Sequence, residues 1–353
     1  MTSKEGGAEA APRPLTPVEL RIRERVKELM RREKYVGILS DEKFPRINLH
    51  FHFSSHATEE DAREFGKVVK QQGPTLIGLE YVNNTRQVKE LFNKIAQGQM
   101  SPAELNFSAT VGQPEFLKQL LTEIQGIKTP IVLLDFPADS EIAKQVTPLM
   151  QRFGGFLNEL VDKGISFDEA LKKFSEMIPA YMESIRAREQ YSMASLEESI
   201  AQFIATDERF KKLKNINVTM LFGALHTPMA HNMRREHEGS EMRVQPSPFL
   251  FAPRDEMCRL VALGKEVPTD VRERAFIDHL LNNMLLEAFK MLGIPRDSTS
   301  MGAHRAIIES LTHEEMRKVY ELYTVKVTQR EAVAFLVDRM RTVLTDRGYT
   351  VSV

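Results

Sequence analysis

Four short apolar runs of this chain each end in a residue able to ligate a metal or carry a proton: Phe53-Ser54-Ser55-His56, Gly78-Leu79-Glu80, Leu134-Asp135 and Gly223-Ala224-Leu225-His226. Imidazole and carboxylate are the usual ligands of hydrolytic metal centres that keep positions open for water, and they are also the commonest general acids and bases. Scattered on loops, these residues would mean little. At the ends of parallel strands they share one edge of a sheet, where α/β folds bind their ligands.

The elements that must position them are legible in the hydrophobic pattern. In Arg46 to Phe53, the residues Ile47, Leu49, Phe51 and Phe53 alternate with Asn48, His50 and His52, which predicts a first strand with its histidines on the face opposite the apolar one. Thr58-Glu59-Glu60-Asp61 has the form of a helix N-cap with an acidic first turn, so a helix runs from Glu59 to Gln72 and stops at Gly73-Pro74. Thr75 to Val82, Thr129 to Asp135 and Asn217 to Gly223 are nearly continuous in apolar side chains, as inner strands covered on both faces are. Helices are expected around 85–97 and 115–124. The alternation predicts an α/β fold, a largely parallel central sheet flanked by helices.

Three further regions complete the organisation. Residues 1–16 read as a flexible tail, followed by a helix from Val18 to Glu33, and the α/β domain is expected over 17–245. A helical insertion occupies about 140–212, within which Ile185, Met193, Leu196, Ile200 and Phe203 form one stripe at helical spacing. Glu189 falls inside that stripe and Arg188 at its margin, so a buried charge there requires a partner. After Pro246-Ser247-Pro248, a mainly helical C-terminal subdomain is expected over 246–353, with amphipathic helices at Asp270–Leu292, His304–Leu311, His313–Tyr323 and Gln329–Arg347.

Composition narrows the function classes. The 353 residues are 42% hydrophobic and 27% charged with a formal net charge of −1, ordinary for a globular protein and without a global field to attract nucleic acid or anionic lipid. No apolar stretch approaches the ~18 residues of a membrane span. Cys258 is the single cysteine, so no intrachain disulfide forms, and the expected compartment is the cytoplasm. The 17 methionines are dispersed and read as core filler.

These motifs together resemble the TraB/TIKI superfamily, related to the erythromycin-esterase and ChaN-like folds. The resemblance rests on His56 after the first strand, Glu80 closing the next, 24 positions later, Arg188-Glu189-Gln190-Tyr191 on a helix, and an intact Gly-x-x-His at Gly223 to His226. The segment Ile131 to Asp135 looks like the family's aspartate-ending strand, although Phe136 follows where an arginine is often seen, and Phe53 stands at the first motif's glycine. The similarity covers about 45–235. It implies a metal-dependent hydrolase of ester or peptide bonds, acting on a small molecule or peptide.

Under that resemblance His56 and His226 ligate a divalent ion, or one ligates while the other handles protons. Glu80 is the third ligand or the base that activates water. Arg188 stabilises an oxyanion or a substrate carboxylate, or else pairs with Glu80 or Asp135 as a structural salt bridge. Asp135 orients an imidazole, and Tyr191 either packs or contacts a cofactor. Two alternatives stand beside the hydrolase: a binding protein holding haem or another small ligand through Tyr191 or a strand-end histidine, and a catalytically degenerate interaction protein that forms a homo-oligomer through its C-terminal helices.

Overall fold

A computed structural model describes residues 45–81, 85–105, 114–137, 139–236, 239–244, 252–291, 298–324, 334–338, 341–342 and 345. The tail, the Val18–Glu33 helix and most of the Gln329–Arg347 helix lie outside them. The sheet has five strands in the order β3-β2-β4-β1-β5, all parallel: β1 (Arg46–Ser54), β2 (Leu76–Leu79), β3 (Ile131–Leu133), β4 (Asn215–Gly223) and β5 (Ser240–Val244).

Register is what turns four sequence motifs into one edge. Ser54 of β1 pairs with Gly223 of β4, Leu79 of β2 with Leu221 of β4, and Leu133 of β3 with Leu79. The residues that follow these positions therefore leave the sheet side by side. The helices between the strands obey ordinary capping rules: α1 (Glu59–Gln72) begins where the Thr58 hydroxyl accepts the Asp61 N–H at 3.2 Å and ends at Gly73, whose φ of +54° suits a residue without a β-carbon. Two more, α2 (Arg86–Ala96) and α3 (Pro114–Ile124), join α1 on one sheet face, where Phe65, Phe92, Leu121 and Ile124 close over Ile77, Leu79 and Leu133.

The insertion holds α4 (Glu141–Lys163), α5 (Phe167–Thr206) and the single turn α6 (Glu208–Lys211). At 40 residues α5 extends roughly 60 Å, long enough to belong to two cores. Its second half lays Met193, Leu196 and Ile200 against Phe51, Phe53 and Phe222 of the sheet. Its first half joins Phe174 and Ile178 to a helical core built with α8 (Pro253–Ala262), α9 (Thr269–Met291), α10 (Ser298–Ser310) and α11 (His313–Thr324). Arg188 and Glu189 sit where the two halves meet. The remaining helix, α7 (Thr227–Glu236), follows β4.

Two expectations shift. β2 and β3 are shorter than their apolar runs, because the outermost residues leave the ladder to form the edge, whereas β4 begins two residues before its run; β3, expected as an inner strand, lies at one margin of the sheet. The run Ser240-Glu241-Met242-Arg243-Val244 forms a strand that its polar composition concealed; it lies at the sheet's margin, beside β1 alone, where charged side chains are tolerated. No helix among the described residues is long and apolar enough to cross a membrane.

One group in β1 is at odds with its burial. His52 is 3% exposed, lies 5.5 Å from the Phe65 ring centre, and has no hydrogen-bond partner for either ring nitrogen among the described residues. Burial holds its imidazole down at about 4 although Asp61 and Glu64 pull the other way. The unfolded chain therefore takes up a proton that the folded chain refuses, so this stability is complete above about pH 6.5 and is lost as the pH falls to about 4. The loss amounts to about 3 kcal/mol. Urea denaturation of His52→Leu across that range is expected to show a flatter acid limb; a limb identical to the wild type's would mean that His52 is not its source.

Candidate functional site at the strand ends

The site is assembled around Glu80, the first residue beyond β2. Its N–H donates to the Leu221 carbonyl at 3.0 Å, which anchors the backbone as it leaves the sheet. Its carboxylate is engaged on both oxygens. Oε2 accepts the Gly223 N–H at 2.7 Å, while Oε1 accepts from Arg188 Nη2 at 2.7 Å and faces His226 Nε2 at 3.1 Å.

Arg188 holds two acids at once. Its Nη2 donates to Asp135 Oδ2 at 2.5 Å as well as to Glu80, and its Nε reaches Asp135 Oδ1 at 3.4 Å. The salt-bridge alternative is thus the geometry found, with both candidate acids as partners. The expectation that Asp135 orients an imidazole is corrected: its two oxygens serve the guanidinium, and Oδ1 also accepts the Phe136 N–H at 2.9 Å. The carboxylate on an imidazole is Glu189, whose Oε1 lies 3.0 Å from His226 Nδ1. This is the partner that a buried acid in the helical stripe called for.

His226 therefore faces a carboxylate oxygen from each ring nitrogen. Only the imidazolium donates from both. Burial alone would lower its affinity for the proton, but the charges and hydrogen bonds of Glu80 and Glu189 outweigh it and raise the imidazole to about 9. Glu80 moves the opposite way: burial would raise it, yet His226 and Arg188 hold it well below the usual carboxylate range. Burial raises Glu189, against the hydrogen bond and charge of His226, which lower it.

His56 reaches the same place by a different route. The turn after β1 is tied by Asp61, whose carboxylate accepts from both Ser54 and Ser55; the Ser54 hydroxyl in turn accepts the His56 N–H at 2.8 Å. That turn puts His56 at φ +52°, a conformation costing a residue with a β-carbon about 1–2 kcal/mol. Its ring stacks on Phe116 at 5.2 Å, and Nε2 is buried without a hydrogen-bond partner among the described residues. Burial lowers its proton affinity, with Glu80 and Asp61 opposing, so this imidazole stays neutral. Phe53, at the altered motif position, is fully buried in the sheet core and leaves the turn clear.

His56, Glu80, Arg188 and His226 line one cavity of about 330 Å³, at the lower end of the range for small-molecule sites. Tyr191 is not among its lining residues. It packs edge-on against Phe136 at 5.9 Å, in a small apolar cluster with Ala143 and Val146.

The donor chemistry suits a divalent ion, but the arrangement does not fit one. A ligating histidine offers a lone pair, and His226 has both nitrogens committed to acids; Glu80 has both oxygens committed to donors. Among the described residues no three histidines, cysteines or acids are grouped to hold a metal. Haem through Tyr191 fits no better, since that ring lies away from the cavity.

Residues that the sequence did not single out complete the cavity. Arg254, Asp278, His304 and Arg305 approach from the C-terminal helices. They carry no strand-end or motif signal, because only the packing of helices on the sheet edge brings them there. In comparisons with known proteins, the chain matches no family model, no curated protein and no solved structure.

Proposed function

We propose that the protein is a hydrolase of ester or peptide bonds of the TraB/TIKI kind, with acid/base chemistry carried by its own side chains. The observation that carries this reading is the contrast between two imidazoles lining one cavity: His226 faces a carboxylate oxygen from each ring nitrogen, whereas His56 buries an Nε2 without a hydrogen-bond partner among the described residues. Titratable groups whose environments push their proton affinities apart mark acid and base assignments.

His56 is the general base. Its ring lines the cavity and takes a proton from water as the water oxygen bonds to the carbonyl carbon. The oxygen charge that develops faces the guanidinium of Arg188 and the imidazolium of His226, whose resting charge Glu80 balances. The scissile bond then breaks, and His56 returns its proton to the departing alkoxide or amine. Glu189 is a positioning residue that fixes the His226 ring and its charge.

A panel of activated esters and short peptides, assayed with protein purified without an affinity tag and with a chelator present, tests the reading. Turnover is expected to be unchanged by the chelator, and elemental analysis is expected to find no stoichiometric metal. Stoichiometric metal that disappears in His226→Asn would overturn this chemistry in favour of a metal centre at the same residues. Absence of turnover across the panel, with a Soret band on haem addition, would favour the binding protein instead.

A further inference from the structure

The far wall of the cavity is as charged as the catalytic one. Arg254 and Asp255 come from the first turn of α8, Asp278 from α9, and His304 and Arg305 from α10. The acids there are largely accounted for. Asp278 receives His304 Nε2 on Oδ1 at 2.8 Å and the Arg254 N–H on Oδ2 at 3.4 Å. Asp255 stands 3.7 Å from Arg254 Nη2, an ion pair beyond hydrogen-bond distance, and burial pushes its carboxyl up to about 6.

The two arginines are only partly paired. Arg305 directs Nε to Glu309 at 2.8 Å, out on the half-exposed side of α10, while its Nη1 is buried with no hydrogen-bond partner among the described residues. Arg254 likewise buries an unpartnered Nε. A guanidinium N–H taken out of water and left unpaired is costly, and two of them on one cavity wall point to a group that pairs with both. Fixed N–H forks match the oxygens of a carboxylate or phosphate, which accept from both donors with the strength of charge-assisted bonds.

We propose that this cavity takes a ligand with an anionic group, carboxylate or phosphate, held by Arg254 and Arg305 opposite His56. Taking that ligand as the substrate rests on the hydrolase reading; the anion site itself does not. In that combination the anchor fixes one end of the substrate, and the scissile bond lies across the cavity beside His56 and Arg188.

Binding tests the site separately from turnover. Inorganic phosphate and acetate are titrated into the full chain by calorimetry, with Arg254→Gln, Arg305→Gln and Arg305→Lys compared at equal foldedness by circular dichroism. Arg209→Gln, at an exposed surface pair, is the control. One anion is expected to bind the wild type saturably, about tenfold or more weaker in each glutamine variant and unchanged in the control. The anion preferred names the class, and a partial loss in Arg305→Lys separates charge from the planar fork. Failure of both anions to bind the wild type, or binding that the two glutamine variants leave intact, overturns the proposal. Anion binding without turnover of any ester or peptide keeps this site and removes the hydrolase. Turnover of neutral esters without anion binding does the reverse.

Discussion

The His56→Asn protein is expected to fold like the wild type and to hydrolyse the responsive ester or peptide about 10²–10⁴-fold more slowly, the range a general base contributes. Asparagine is the informative replacement because it tolerates the left-handed backbone that His56 occupies at φ +52°. The turn held by Asp61, Ser54 and Ser55 then survives while the imidazole is lost. The loss is expected in kcat, since the base acts only as the bond to water forms. A variant retaining more than a tenth of wild-type kcat would remove His56 from the reaction. The pH profile supplies a second reading: a base lowered by burial remains competent below the ordinary histidine range, so the acid limb of kcat/KM is expected below pH 6.5.

Arg188→Met is expected to destabilise the fold by about 3–5 kcal/mol, the cost of stranding a buried charge when its partner is removed. Asp135 is 1% exposed and would lose the guanidinium that meets both of its oxygens, and Glu80 would lose one of its two cationic partners. The carboxylates are expected to respond by taking up protons, so the variant should gain stability as the pH falls where the wild type does not. Replacing Asp135 with leucine in the same chain is expected to recover part of the loss, because two apolar residues substitute for a buried ion pair better than one orphaned charge does. Urea midpoints for the single and double variants decide it. A cost below about 1 kcal/mol for Arg188→Met would mean that the network is solvated and carries little of the fold.

Both predictions concern residues that were visible before any coordinates. His56, Glu80, Asp135 and His226 were legible because parallel strands impose a common direction, and a polar residue closing an apolar run is conspicuous; Arg188 was legible at the margin of the apolar stripe of α5. The helical stripe of α5 also disclosed Glu189 as an acid in need of a partner, which proved to be His226. Bonding was less legible. Spacing along the chain does not say which oxygen faces which nitrogen, so Asp135 could be read as orienting an imidazole or pairing with Arg188, and His226 as a metal ligand or a proton carrier; the guanidinium holds Asp135, and two carboxylates face His226.

What the chain determined alone is the α/β architecture and the strand-end set, since both follow from local alternation of apolar and polar residues and from the stops between them. The protonation of its two imidazoles was decided by tertiary structure. Two carboxylates from separate segments close on His226 and favour its cationic form, while burial favours the neutral form of His56, whose Nε2 has no partner among the described residues. The second wall of Arg254, Asp278, His304 and Arg305 also exists only in three dimensions. Proton affinity depends on burial and on charges a few ångströms away, and those distances are set by segments as far apart in the chain as Glu80 and His226, 146 positions.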